Sequence, residues 1–261
     1  MEISSRAWVD YVNKLSKLDE VASKKIGAFL TNFKGFSYNN PAHMKALIDY
    51  AYGISTIYGE GAAALACEMY DAVGLASGVF LEPAIPAEVA SYGDVAKAIN
   101  GTAKYKNDEM VSSSIGRLVK RTGADTTLNN ALRDGAEFAW IPSGDSCAFC
   151  IALASRGWQR ASRDAIKGGH AEHIHSNCDC EYAIRFNEQT NYKSYDPEVY
   201  KEMYDDAPVE EGQKMTPKNR INAMRREAYA RNKEEINAQK RDAYAKRQEL
   251  NSSEAEEINV N

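Results

Sequence analysis

The sequence has no apolar run long enough to span a membrane; its richest stretch, Gly61 to Phe80, is interrupted by Glu68 and Asp71. Its opening residues, MEISSRAWVD, lack the basic start and apolar core of a secretory signal. A chain that stays inside the cell keeps its thiols reduced, which favours metal binding over disulfides. Excess basic charge is missing too. The net charge is -5, which excludes a protein that coats DNA through a uniformly basic face. There is no phosphate-binding glycine loop, no G-x-S-x-G elbow and no H-E-x-x-H pair. Internal repeats are absent as well. Outside the window from Cys147 to Cys180, the metal-capable soft ligands are His43 and Cys67 alone.

What is present begins with enough apolar residues, 44% of 261, to build a core and exclude a wholly disordered chain. Trp8, Val12, Leu15, Ala22, Ile26, Phe29 and Phe33 recur on one helical face and predict a helix over 6–33. The stretch from Tyr38 to Pro41 ends it. Further helices are expected over 41–58, 60–78, 86–99 and 107–121, with another capped by Asp125 or Thr126 and ending near Gly135. Packed together, they make a helical bundle over 1–135. Cys67 lies on an apolar face and reads as an inert buried thiol.

At Glu137 the texture changes. Residues 137–141 read as a strand, and Pro142 to Asp145 as a turn. Asp145 or Ser146 is positioned to cap a helix that starts at the first cysteine, and Gly157 suits its exit. A loop from Arg160 to Gly169 leads to a second ligand cluster. Residues 181–186 then alternate as a strand, with Tyr182, Ile184 and Phe186 on one face. Pairing of the two strands would bring the cysteine clusters together. Residues 188–217 read as an acidic linker, and 218–261 as a charged tail, helical or disordered. The expected architecture is therefore mainly α: a helical domain over 1–135, a small α+β Cys/His-rich, zinc-knuckle-like module over 136–187, and a charged C-terminal arm.

The window carries four of the five cysteines and three of the four histidines. Thiolates and imidazoles at C-x2-C and H-x2-C-x-C spacing suit tetrahedral zinc. Cys147, Cys150, His175, Cys178 and Cys180 are the candidate ligands, with His170 and His173 as further options. Spacing does not decide which four bind. Three other chemistries use the same residues. Cys147 and Cys150 resemble a redox C-x-x-C motif, although the βαβ surroundings of that motif are not predicted. The cysteines could pair as disulfides in an oxidising setting. A zinc with an open position could activate water, with Glu172 or Asp179 as general base. Thiolate-rich sites are mostly structural. Arg220, Arg225, Arg226, Lys240 and Arg241 offer a basic surface on the tail for a nucleic-acid-binding adaptor.

The stretch from Asp145 to Gly157, with its C-x2-C, and the ending His175-Ser-Asn-Cys-Asp-Cys180 resemble the minor head proteins of tailed bacteriophages related to phage Mu protein F. The version found in phages of Gram-positive hosts is especially similar. The chain departs from the usual H-P-x-C-R-C ending at Ser176 and Asp179. The resemblance covers roughly residues 130–187. It implies a non-enzymatic structural role in head morphogenesis, inside the phage head and in the host cytoplasm during assembly. It implies association with the portal protein and with major capsid or scaffolding protein, and a part in DNA delivery. DNA contact would fall to the tail, and no membrane partner is expected. Related proteins are often labelled capsid maturation proteases, which makes a metal-dependent hydrolase or nuclease the enzymatic alternative.

Overall fold

A computed structural model of the chain describes residues 2–3, 5–143, 146–167, 180–192, 195–210, 214 and 216–233. Among these the architecture is mainly helical with one small antiparallel sheet, as the sequence predicts. Four long helices form the N-terminal bundle: α1 (Ser5–Asn32), α2 (Pro41–Ala76), α3 (Tyr92–Ala103) and α4 (Asp108–Asp134). Asn40 starts α2 by accepting the backbone N–H groups of Ala42 and His43, with proline in the first turn. Gly135, in the left-handed region at φ 65, ends α4. His43 is structural: its Nδ1 accepts the Ser37 N–H at 3.1 Å, and its ring packs on Phe33 and Phe36.

Two expected interruptions are not there. The helices expected over 41–58 and 60–78 are one helix, α2, and those expected over 107–121 and from Asp125 are one helix, α4. Gly59 and Gly123 lie where α2 approaches α4 and its neighbours. A Cβ on Gly59 would lie 3.1 Å from Val89 and 3.4 Å from Thr122. One on Gly123 would lie 3.4 Å from the Ala62 carbonyl. Here glycine permits close approach, and the helix runs on.

α4 is the central element, packed against α1, α2 and α3. It is buried around most of its circumference, and its buried threonines bond their own helix. Thr122, Thr126 and Thr127 donate to the carbonyls of Leu118, Thr122 and Gly123. After α2 the chain crosses α4 without secondary structure, held by side chains. Asp71, Asn130 and Thr126 accept the N–H groups of Ala84, Ile85 and Ala87, and Arg133 donates to the Glu82 and Pro83 carbonyls. The expected helix over 86–99 accordingly begins late, at Tyr92, under a capping box formed by Ser91 and Asp94.

The first strand, β1 (Glu2–Ile3), is paired from the far end of the chain. β2 (Glu137–Ile141) is followed by α5 (Ala148–Ala154), β3 (Gln159–Arg160), α6 (Arg163–Lys167) and β4 (Glu181–Arg185). β2 is central, antiparallel to both β3 and β4, with Trp140 opposite Tyr182 and Ile141 opposite Glu181. Residues 188–217 are not simply an extended linker. They contain β5 (Asn191–Tyr192), which runs parallel to β1, and α7 (Pro197–Asp205). α8 (Pro217–Arg231) is the described part of the charged tail. No described helix is long and apolar enough to cross a membrane.

Candidate metal centre

Alternation along β2 and β4 places the cysteines. Phe138, Trp140, Tyr182 and Ile184 share one hydrophobic cluster, while Ile141 and Ala183 belong to another, so both faces of the strand pair are covered. Continuing the alternation back from Tyr182 brings Cys180 to the first of these faces, in the same cluster as Cys150. Cys180 immediately precedes β4, and its Sγ accepts the Ser143 N–H at 3.4 Å across the end of the ladder.

Cys147 and Cys150 come from α5. Cys147 itself is the N-cap residue, with φ -71 and ψ 159, in place of the expected Asp145 or Ser146. Its carbonyl accepts the Ile151 N–H at 3.0 Å, and its Sγ lies 3.6 Å from Cys150 Sγ. Cys147 is exposed, whereas Cys150 and Cys180 are buried. Gly157, at φ 64, takes the left-handed turn after α5 that the sequence predicts. Three of the five candidate ligands thus lie near one another at the end of the β2–β4 pair. His175 and Cys178 lie outside the described residues, as do His170, His173, Glu172 and Asp179. Among the described residues, no group of three or more His, Cys, Asp or Glu side chains is arranged to hold a metal ion.

The thiol pair nevertheless fits one half of a zinc site. Zinc–sulfur bonds of about 2.3 Å at tetrahedral angles put two sulfurs about 3.8 Å apart. The observed 3.6 Å is close to that edge. A complete zinc site needs two further ligands beyond this pair. Cys67, on α2, stands apart. Its thiol is half-buried and has a raised pKa, chiefly from burial and then from the charge of Asp71.

Sequence reasoning missed the lid over this end of the molecule. α7 and α8 pack on α5, and the Tyr195 hydroxyl donates to the Ala154 carbonyl at 2.8 Å. Burial, and then the charge of Cys180, raise the pKa of Tyr200. A cleft of about 730 Å³ opens between Cys147, Ile151, Val199, Met203 and Arg231. The signal for α7 was available: Asp196 caps it by accepting the Glu198 N–H, and Pro197 occupies the first turn. Trp140 and Trp158 are packing residues. Trp140 meets Tyr182 edge to face, and Trp158 packs between Tyr192, Tyr195 and the Arg185 guanidinium.

No curated protein and no solved structure matches the chain. A family model, described as VG15 protein, matches residues 2–207. That span runs from β1 through α7 and includes every cysteine, while α8 lies beyond it. The chain belongs to the VG15 protein family.

Proposed function

We propose that this protein is a non-enzymatic structural component of a bacteriophage head, a minor capsid protein that works beside the portal during assembly. Its 136–187 module is stapled by one zinc ion, held by Cys147, Cys150, His175 and one or both of Cys178 and Cys180. The observation that carries the metal part is the 3.6 Å separation of the Cys147 and Cys150 sulfurs near buried Cys180. Support for the head assignment is the resemblance of the Cys147–Cys180 window to the Mu F-like minor head proteins. Bound zinc would act as a cross-link between α5 and the segment leading into β4, adding to the stability of the module. The partners are the portal protein and the major capsid or scaffolding protein, and the site of action is the interior of the head.

Of the rivals, the hydrolase draws on Glu172, His173 and Asp179, which lie outside the described residues. For the DNA adaptor, two of the tail's basic groups are already engaged. Arg220 pairs with Asp205 at 2.6 Å and Arg226 with Glu210 at 3.4 Å. Tagged protein purified from infected cells tests the assembly role. Portal or capsid protein should copurify with it, and their absence from the eluate would sink the assignment.

A further inference from the structure

Cys147 and Cys150 differ in a way that a purely structural ligand pair does not require. One thiol is exposed and lines an open cleft of about 730 Å³, and the other is 1% exposed beneath it. Their sulfurs are already 3.6 Å apart. Contracting that distance by about 1.5 Å reaches the length of a disulfide. Cys147 sits at the N-cap with extended backbone, and its side chain takes no part in capping the helix. A small rotation of that side chain therefore costs α5 no capping bond. The reaction needs this asymmetry: an accessible thiol to meet the reagent and a sheltered one to resolve the product.

We propose that Cys147 and Cys150 form a reversible intramolecular disulfide with low-molecular-weight disulfides as oxidant, and that closing it discharges the zinc. The discharge rests on the metal reading above; the disulfide does not. The Cys147 thiolate attacks one sulfur of the reagent RSSR, giving a Cys147–S–S–R mixed disulfide and releasing RS⁻. The Cys150 thiolate then attacks Cys147 Sγ, closing the Cys147–Cys150 bond and releasing the second RS⁻. Two protein thiolates are oxidised to the disulfide, and the reagent disulfide is reduced to two thiolates, which take up protons from solvent. A zinc held by Cys147 and Cys150 would lose both of those sulfur ligands and pass to water. The antiparallel surroundings of β2 and β4 differ from the βαβ setting of thioredoxin-like proteins, so the inference rests on the pair's own geometry.

The test uses the full chain, loaded with zinc and titrated with mixtures of oxidised and reduced glutathione. Peptide mapping reads the bonds formed, and a chromogenic chelator reads the zinc released. The expected result is a Cys147–Cys150 bond that follows the glutathione ratio reversibly, with zinc released in step. Cys150→Ser should stop at glutathione on Cys147, and Cys67→Ser should behave like the parent chain. Glutathione left on Cys147 in the parent chain, or a first bond from Cys147 to Cys178 or Cys180, overturns the inference. So does zinc that stays bound at every ratio with no disulfide, an outcome that leaves the metal reading standing. A disulfide that forms in a chain unable to bind zinc supports the thiol chemistry and removes the metal instead. Mapping the unaltered chain decides the matter even if a cysteine variant fails to fold.

Discussion

Lys120 on α4 and Glu181 on β4 form an ion pair at 3.0 Å, with both side chains 2% exposed. It joins the helical bundle to the strand that begins one residue after Cys180. The buried Tyr11 hydroxyl from α1 lies close enough for the charge of Glu181 to raise its pKa further, second to burial. Removing one partner strands the other charge in the interior. Lys120→Met should cost about 3–5 kcal/mol of stability, and Lys120→Met with Glu181→Leu should cost less than Lys120→Met alone. Chemical denaturation of the two single variants and the double variant measures both, and a double-variant loss equal to the sum of the single losses would show that the pair is not coupled.

Asp134 gives the fold an acid-sensitive point. Its carboxylate accepts two bonds from Arg133, each at 2.7 Å, and one from the Tyr70 hydroxyl at 2.9 Å. The Arg133 bonds hold its pKa below the ordinary 3.8, against a smaller opposing effect of burial. A depressed carboxylate pKa stabilises the fold above the unfolded value, and that stability is lost as pH falls through the folded one. Asp134→Asn should therefore be less stable than the parent at neutral pH, with the gap closing below pH 3.8. Urea unfolding across pH 2–7 reads this, and a gap independent of pH would exclude it.

Asn130 holds the segment that crosses α4. Its side chain accepts the Ile85 N–H and donates to the Ile85 and Thr126 carbonyls, all within 2.8–2.9 Å. Asn130→Ala removes these bonds, two of them to the part-buried backbone of Ile85, and should cost about 1–3 kcal/mol. Amide exchange should accelerate around residues 79–90 before it does so in the bundle helices.

The metal reading predicts about one zinc per chain by elemental analysis. Chelation should lower the melting temperature by ~10 °C if zinc is bound far below working concentrations. Cys147→Ser should lose the ion, and Cys67→Ser should keep it. A metal-free chain with an unchanged melting temperature after added zinc would end the proposal.

Much of the fold was legible where a local signal is strong. The one-sided α1 stripe from Trp8 to Ile26, the short apolar β2 and β4 strands and the Gly157 exit all follow from local pattern. Pattern failed over long helices buried on every side. α4 is buried nearly all round and shows little amphipathic contrast, so no stripe marks its full length. The acidic 188–217 stretch misled for another reason. Its anchors, Tyr192, Tyr195 and Tyr200, are amphipathic rings scattered among acidic residues, with no apolar period to mark them. At the candidate site, cysteine spacing identified the thiols, but Lys120, Glu181 and the α7 cover depend on contacts between residues far apart in sequence.

The parallel pairing of Glu2 and Ile3 with Asn191 and Tyr192 has a consequence for how the molecule comes into being. Trp8 packs edge to face on Tyr192 at 5.0 Å beside that pairing. Contacts of such sequence separation form slowly, because a long loop must be closed before they reward it. On the ribosome, the bundle helices can assemble from neighbouring segments, while β1 waits for a partner that emerges nearly two hundred residues later. Closure of β1 on β5 is therefore a late event in folding, and it comes after the segment bearing the cysteines has been synthesised.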